Sequence, residues 1–348
     1  MKRIITLLTG VVIAGNAFAC DFCGCFMGIT PYDNQSNIAL IYRYKMYSGY
    51  SGMQQNHYMF HKDYVSSSPN SILVHPGNYN NLKHGSPGAD ESAPRQYLQS
   101  DYELYTAAEL RAKVFVHPRT ELGLIVPFLI NESRTGDEIQ QVKSAGDVTL
   151  MIAYHLLEKT LTEKTQHRLI AGYGIKLPTG NFDMTAEDGD RIDFLLQPGT
   201  GSLDHLFYLN YIIAGKKLGA SLNTAYKLNG PNHNGERVSN SSTSYLNVFY
   251  KFRQAKQLKI FPSVQLYHEY CGGVYDNGVY EPGTTMNDLT GGVGLDIFYK
   301  QLALNASWHL PVWEQQFDGN LTQAGKFMIG ITFSFNQKKY LFNSKKES

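Results

Sequence analysis

The chain has 348 residues, 43% of them apolar, and its 31 basic side chains almost balance 30 acidic ones, for a formal charge of +1. A nucleic-acid-binding protein would normally carry a basic excess, and a disordered chain would combine low hydrophobicity with high net charge. After residue 19 no apolar run approaches the ~18 residues of a membrane-spanning helix. The composition argues against these three classes, whereas 24 Tyr, 18 Phe and 32 Gly favour β-structure.

Residues 1–19 have the pattern of a secretory signal peptide. A basic pair at 2–3 precedes an apolar stretch at 4–14, and Ala17-Phe18-Ala19 forms an A-x-A cleavage site. Ordinary cleavage would leave Cys20 as the first mature residue. A lipoprotein signal with a lipid on Cys20 is the alternative, although the usual Leu three positions earlier is missing. Both interpretations predict export from the cytoplasm.

Twelve segments alternate with period two and are long enough to cross a bilayer as tilted strands. The clearest are 104–116, 218–229 and 327–335, where apolar residues occupy every second position. An even number of strands predicts an all-β fold, a twelve-stranded antiparallel transmembrane β-barrel of the bacterial outer-membrane type. The other nine segments lie at about 37–47, 121–131, 147–157, 167–177, 203–213, 244–252, 258–270, 288–299 and 301–311.

The connections alternate between short and long, which distinguishes a barrel from a soluble β-sandwich. Outer-membrane barrels have short periplasmic turns and longer outer loops, whereas Greek-key crossings in a sandwich do not require this alternation. The moderately long connection 158–166 is an exception on the short side. We therefore expect a barrel over 37–336, a long outer loop over 48–102 and a polar tail over 337–348. The short connections are 117–120, 215–217, 253–256 and 300–301, and the other long ones are 132–146, 178–202, 229–243, 271–287 and 312–324.

Charged residues of both signs lie on the strand face opposite the apolar face. A soluble protein would turn its charges to solvent and its apolar face to a core, whereas a barrel in lipid does the reverse. We therefore expect these charges to line a wet or ion-paired lumen. The predicted lumen-lining residues are Arg43, Lys45, Glu109, Arg111, Lys113, Lys176, Asp204, Lys227, Lys251, Glu269 and Asp296.

Three blocks within 146–211 carry a resemblance to a known family. They are Gly146-Asp147-Val148, then Gly174-Ile175-Lys176-Leu177-Pro178-Thr179-Gly180, and then Gln197-Pro198-Gly199-Thr200-Gly201-Ser202-Leu203-Asp204. In order and spacing the last two resemble the outer-membrane barrel family named for the meta-pathway of phenol degradation. The resemblance implies a transporter-like barrel that passes or binds small, often hydrophobic, compounds.

The residues of these blocks also have a physical interpretation. Pro178 and Gly180 are expected to end a strand at the outer rim, and Gly199 and Gly201 to supply the backbone freedom for re-entry. Lys176 and Asp204 face inward at neighbouring strand ends in the predicted barrel. Both a rim salt bridge and a role in ligand selection fit this pair.

Three of the four cysteines lie within six residues of each other, as Cys20-Asp21-Phe22-Cys23-Gly24-Cys25. Three thiolates on a short segment suit a soft metal ion, which makes Cu(I) or Zn(II) the candidate cofactor and Cys20, Cys23 and Cys25 its candidate ligands. Disulfide formation competes, as Cys20–Cys25 or as a link to Cys271. Lipidation of Cys20 would leave two free thiols. The segment 20–36 is long enough to lie in the periplasm or to plug the lumen.

An enzyme is not expected from this sequence. Twelve-stranded outer-membrane phospholipases carry a His-x-Ser pair, but the nearest stretch, 233–235, has Gly235 in place of the nucleophile. The histidines of the loop 48–102 include the pair His57 and His61, which would share a metal only on a helix. The loop could otherwise act as a polar lid.

Two functions therefore follow from the sequence. The first is an outer-membrane channel or transporter for a small compound, with membrane lipid and a small solute as its partners and no nucleic acid. The second is a metal-handling or binding protein that works through the cysteine segment. Neither the solute nor the oligomeric state follows from the residues.

Overall fold

The computed structural model describes residues 35–50, 57–58, 101–162, 165–186, 189–255, 257–281, 284–315 and 321–335. It confirms the all-β prediction, because twelve long strands form one closed antiparallel barrel. No helix in these ranges has the length and apolar character needed to cross a membrane. The expected signal peptide, most of segment 20–36, the tail and nearly all of the loop 48–102 lie outside the described residues.

Each predicted segment corresponds to one observed strand, and the bounds differ mainly because several strands are longer than expected. The period-two pattern predicts the centre of each strand well, since that part has one apolar and one polar face. The strands are β1 Ser36–Tyr50, β2 Tyr102–His117, β3 Thr120–Thr135, β4 Thr149–Thr162, β5 Thr165–Lys176, β6 Asp204–Ala214, β7 Leu218–Asn229, β8 Ser241–Tyr250, β9 Leu258–Cys271, β10 Met286–Tyr299, β11 Leu302–Gln315 and β12 Leu321–Phe335.

Every barrel strand pairs with the strands before and after it in the chain, and β1 pairs with β12 to close the ring. That closing register runs from Ser36 opposite Phe335 to Tyr50 opposite Leu321. Closure leaves the barrel without an exposed edge, so that its backbone polar groups are satisfied within the sheet. The ring also places β3 and β9 six strands apart, on opposite walls.

The connections at one end of the barrel are all short. The predicted exception at 158–166 is mostly strand, because β4 and β5 remain paired there, with Glu158 opposite Arg168 and Thr162 opposite Thr165. The charged residues of this stretch do not alternate in hydropathy, so the sequence pattern did not predict the pairing. We call this end the short-turn end and the other the long-loop end.

The long connections contain short strands that alternation did not predict. Glu138–Ala145 folds back onto the end of β3. A separate three-stranded sheet joins Arg237–Val238, Val274–Asp276 and Val279–Glu281 at the long-loop end. His57–Tyr58 pairs with β11 as an extended strand, which is not the helix that a His57–His61 metal pair requires.

Three prolines interrupt barrel strands where the pairing itself changes. Pro127 lies between the part of β3 that pairs with β4 and the part that pairs with Glu138–Ala145. Pro262 lies where the pairing partner of β9 changes from β8 to the short strand Arg253–Gln254. Pro311 lies at a register shift between β10 and β11. Proline cannot donate to a ladder, and irregular positions of this kind are where strands tolerate it.

The outer face of the barrel is apolar, whereas the inner face carries the buried charged residues together with some apolar ones. On β1, Ile38, Leu40 and Tyr42 are exposed, whereas Ala39 and Ile41 between them are buried. The same alternation leaves large apolar side chains exposed on the other strands, and fully buried acidic residues face them from the inside. A soluble protein rarely exposes so extended an apolar surface, but a barrel in lipid requires it.

Candidate functional site

The barrel lumen holds the charged residues that the sequence analysis singled out. Lys251 is the exception in position. Since β8 ends at Tyr250, Lys251 lies at the short-turn end, where its Nζ donates to the Gly215 carbonyl at 2.7 Å. Burial at this turn lowers the pKa of Lys251. The ten residues on strands, buried or half-buried on the inner face, are Arg43, Lys45, Glu109, Arg111, Lys113, Lys176, Asp204, Lys227, Glu269 and Asp296.

Lys176 and Asp204 form a buried ion pair, not a solvated rim pair. Lys176 Nζ lies 2.7 Å from Asp204 Oδ2 and 2.7 Å from Asp147 Oδ2, and these three side chains are 1–6% exposed. Lys227 lies 3.5 Å from the same Asp204 oxygen. Asp147 was named only as a member of the first motif block, and its role as the second partner of Lys176 was not predicted. The signal for that role was that the other two motif blocks also contain a charged residue, Lys176 and Asp204.

Asp147 connects all three motif blocks. Its Oδ1 accepts a hydrogen bond from the Gly180 amide at 2.9 Å, and its Oδ2 accepts one from the Thr200 amide at 3.0 Å. Gly201 has a φ of +67°, as the re-entry argument expects. Gly199 has a different role, because a Cβ on it would lie 2.5 Å from the Gly180 carbonyl oxygen. The two loop ends therefore pack backbone against backbone.

The connection between β5 and β6 crosses the mouth of the barrel. Ile192 and Leu196 pack with Val142, beside β3, and the Leu196 carbonyl accepts a hydrogen bond from the Asn131 side chain at 3.0 Å. Phe194 instead packs against the cluster formed by Val238 and by Cys271 at the end of β9. Because β3 and β9 are on opposite walls, the capping segment 192–198 spans the opening.

The loop between β7 and β8 holds the two residues, Arg191 and Thr200, that flank the capping segment. Arg191 forms an ion pair with Glu236, with 2.8 Å between Nη2 and Oε2, and a second one with Asp183 at 2.7 Å. The hydrogen bond to Glu236 and the two negative charges hold the pKa of Arg191 above its usual value. Asn232 completes the connection by donating to the Thr200 carbonyl at 3.1 Å. The described loops therefore form a packed cover at the long-loop end.

Glu269 joins distant parts of the wall below this cover. Its Oε2 accepts hydrogen bonds from Lys45 at 3.2 Å and from Lys326 at 2.6 Å. Lys45 is on β1 and Lys326 on β12, so both contacts cross the lumen to reach β9. Asp288, directly opposite Glu269 on β10, is also fully buried. Lys326 was missed in the sequence because the predicted strand began one residue after it.

Glu109 is the centre of a second ion-paired group. One of its oxygens pairs with Arg43, and the other accepts from Arg111 Nε at 2.8 Å. Lys113 lies 3.7 Å from Glu121, further towards the short-turn end. Glu109, Glu121 and Glu269 each have at least one cation in contact, which offsets part of the large cost of burying charge.

Three cavities in the lumen that described residues line measure about 90, 50 and 130 Å³. The largest of these three lies towards the short-turn end and is amphipathic. Apolar residues such as Ile41, Met151 and Ile170 form one part of its wall, and polar residues such as Asn247 and Gln265 form another. Such a wall can contact both the apolar and the polar part of a small organic solute.

A metal centre is not evident in the part of the chain that the structure describes, where no three His, Cys, Asp or Glu side chains converge. The candidate ligands Cys20, Cys23 and Cys25 lie outside it. Cys271 ends β9 instead of beginning a loop, is buried, and forms no disulfide with a described residue. The soft-metal prediction therefore stays a prediction.

Comparisons with known proteins agree with the fold. The structure is similar to an outer-membrane channel from Pseudomonas putida F1, with 14% identity over 88% of this chain and 100% of that one, and a TM-score of 0.58. It is also similar to the β-domain of the Bordetella autotransporter BrkA (11% identity, 87% and 100% covered, TM-score 0.46). A third is the KdgM porin in complex with disordered oligogalacturonate (12% identity, 67% and 96% covered, TM-score 0.34).

At 14% identity, the first of these similarities shows the fold alone, which is that of an outer-membrane barrel. No family model matches the chain, and no curated protein matches it. The resemblance to the phenol meta-pathway family therefore stays a prediction, although its motif blocks meet around Asp147 as described above.

Proposed function

We propose that the protein is a channel of the bacterial outer membrane that passes a small solute, and that it is not an enzyme. The observation that carries this proposal is the combination of an apolar outer face with a polar, cavity-containing lumen in a closed barrel. An apolar outer face matches lipid as the surrounding partner, and a polar lumen matches a hydrated path for solute. The similar fold of the Pseudomonas outer-membrane channel supports it.

The barrel size and the capping segment restrict the solute to small compounds. Twelve strands lie between eight, which side chains or one small ligand can fill, and sixteen, which leave an aqueous pore. The capping segment 192–198 and the cross-lumen contacts of Glu269 narrow this path further. The amphipathic wall of the largest cavity accommodates a compound with an apolar part, in line with the motif resemblance.

Reconstitution tests the channel directly. Refolded protein in planar bilayers should give small discrete conductance steps in KCl, and proteoliposomes should swell in a small sugar alcohol but not in a trisaccharide. Heat-denatured protein in the same lipid is the control. A properly refolded barrel that neither conducts nor swells, even after the capping segment is released by mutation, would show that the lumen is not a path.

A second function is proposed for the cysteine segment, on the basis of the Cys-x-x-Cys-x-Cys spacing at 20–25. Three thiolates so close in sequence can converge on Cu(I) or Zn(II) without help from the barrel. This would make the protein a metal-handling outer-membrane protein. Metal uptake by variants of Cys23 and Cys25, measured independently of conductance, separates the two functions.

A further inference from the structure

We propose that the cavity beside Lys45 and Lys326 is a binding site for a small monocarboxylate with an apolar body. This inference rests on the proposed channel function and names the class of solute. The cavity measures about 90 Å³ and lies among residues of β1, β2, β3, β9, β11 and β12.

The charge of the cavity wall points to an anion. Arg43, Lys45 and Lys326 line it, and none of the described residues that line it is acidic. The largest cavity differs, since Glu121 and Asp296 share its wall with Arg111 and other cations. The cavity beside Lys45 and Lys326 therefore differs in charge from the largest cavity, whose wall carries both acidic and basic residues.

The one carboxylate shown to pair with both lysines, that of Glu269, lies behind them. Glu269 is 0% exposed, whereas the side chains of Lys45 and Lys326 retain 11% and 12% exposure. Asp288, the next acidic residue, is also fully buried. Because the ammonium groups are closer to the cavity than the carboxylates, they dominate the field inside it.

Arg43 repeats this arrangement on the same wall. Its partner Glu109 is 0% exposed, whereas Arg43 retains 17% exposure. A guanidinium group can bind a carboxylate through two parallel hydrogen bonds, and an ammonium group adds a third donor. Three cations of this kind can hold one carboxylate group of a ligand.

Aromatic and aliphatic groups form much of the rest of the wall, which also holds the polar residues Thr106, Asn131, Ser307 and His309. Tyr47 and Tyr105 pack edge to face with centroids 6.0 Å apart. Their hydroxyl groups are engaged, with Met286 Sδ at 3.1 Å and with Glu103 Oε2 at 2.8 Å. Ring surfaces therefore face the cavity together with Ala107, Leu129 and Met328. This surface suits the hydrocarbon body of a ligand and not a second charged group.

Calorimetric titration of the refolded full chain in detergent micelles tests binding without requiring conduction. The probe is benzoate, and size-matched benzyl alcohol and benzylammonium are the comparison compounds. Benzoate should bind at about one equivalent, at least tenfold more tightly than either comparison compound. Equal binding of all three, or no binding of benzoate, would overturn the proposal.

Three variants locate the site. Lys326→Gln should weaken benzoate binding about tenfold, which corresponds to one charge-assisted hydrogen bond of roughly 1.4 kcal/mol. Lys326→Arg should restore most of it, because the charge returns. Lys216→Gln is the matched control, since Lys216 is exposed at a turn outside the lumen cavities, and it should bind as the wild type does. Equal weakening in Lys326→Gln and Lys216→Gln would place the site elsewhere.

Planar bilayers separate this inference from the proposed channel. If benzoate binds but no conductance appears in KCl, the channel function fails while the site remains. If KCl conducts and micromolar to millimolar benzoate neither binds nor blocks, the site fails while the channel remains. Block of the KCl current by benzoate in the wild type, relieved in Lys326→Gln, is the result expected from both.

Discussion

Lys45 and Glu269 are 224 residues apart in the chain and meet across the lumen, with 3.2 Å between Nζ and Oε2. Four strand-to-strand steps along the wall separate β1 from β9, so this contact joins two walls that the sheet itself does not bring together. Lys326 binds the same carboxylate oxygen. One buried acidic group therefore links the two walls at this level.

Replacing Glu269 with Gln should enlarge the conductance and make it more selective for anions. The change removes the negative charge that two ammonium groups share, so that they repel each other and their field extends further into the lumen. The reversal potential in a KCl gradient measures the selectivity. Asp296→Asn is the matched control, because Asp296 lines the largest cavity, towards the short-turn end, and contacts Asn305. A smaller shift in Glu269→Gln than in Asp296→Asn would contradict the prediction.

Replacing Lys176 with Met should destabilise the barrel by about 3–5 kcal/mol, because Asp147 and Asp204 would then lose the ammonium group that lies 2.7 Å from each. Urea unfolding of protein refolded into lipid vesicles measures the free energy. Lys216→Met, at an exposed turn position, should change it little. Equal stability of the two variants would mean that the buried charges are satisfied without Lys176.

Side-chain facing on β2 can be tested with one substitution on each face. Leu110 is 49% exposed on the outer face, and an Arg near the membrane midplane should cost about 2–4 kcal/mol. Lys113→Gln, on the inner face of the same strand, should fold and unfold nearly as the wild type. The measurement is again urea unfolding in vesicles. Similar losses in both variants would show that the assigned faces are wrong.

Releasing the capping segment should raise the conductance. Leu196 is buried against Val142 and Ile192, and Leu196→Asp would place a charge in this apolar contact, which favours the displaced segment. Thr185→Asp adds the same charge to the same loop at an exposed position and should leave the conductance unchanged. Single-channel recordings compare the two. No difference between them would show that the segment does not limit the current.

Much of the fold follows from the sequence, because in a barrel each strand alternates between lipid and lumen. The twelve strands and their order were predicted from this pattern and from the alternation of short and long connections. The ends of β4 and β5 were not, since paired residues near the interface, such as Glu158 and Arg168, are charged and do not alternate in hydropathy. The period-two pattern marks only the part of a strand that contacts lipid, whereas backbone pairing extends past that part.

The site was only partly predictable for a different reason. The alternation along each strand shows which residues, such as Lys45 and Glu269, point into the lumen. It gives no information about which of these residues contact each other across the lumen. The contact of Phe194 with the cluster of Val238 and Cys271 joins separate loops, and no local pattern encodes it. The importance of Asp147 likewise depends on two loop backbones that converge on it.

The cysteine segment calls for a test that does not depend on the barrel. If Cys20, Cys23 and Cys25 bind a soft metal, the reduced protein should take up about one equivalent of Cu(I) or Zn(II), because three thiolates form one ligand set. The double variant Cys23→Ser, Cys25→Ser should lose this uptake and keep the melting temperature, since a closed barrel needs no thiol. Elemental analysis after gel filtration measures the metal.

The pH dependence and a cysteine control complete this last prediction. Uptake should weaken as the pH falls, because protons compete with the metal for thiolate. Cys271→Ser is the matched control, as Cys271 is buried at the end of β9, and it should keep full uptake.

A structural disulfide gives the opposite pattern: no titratable thiols before reduction, and a lower melting temperature in the double variant. A mass increase on Cys20 with loss of its free amine would instead identify a lipid anchor. Protein isolated from native membranes with Cys23 and Cys25 bridged to each other, or either of them to Cys271, would contradict metal binding at this segment.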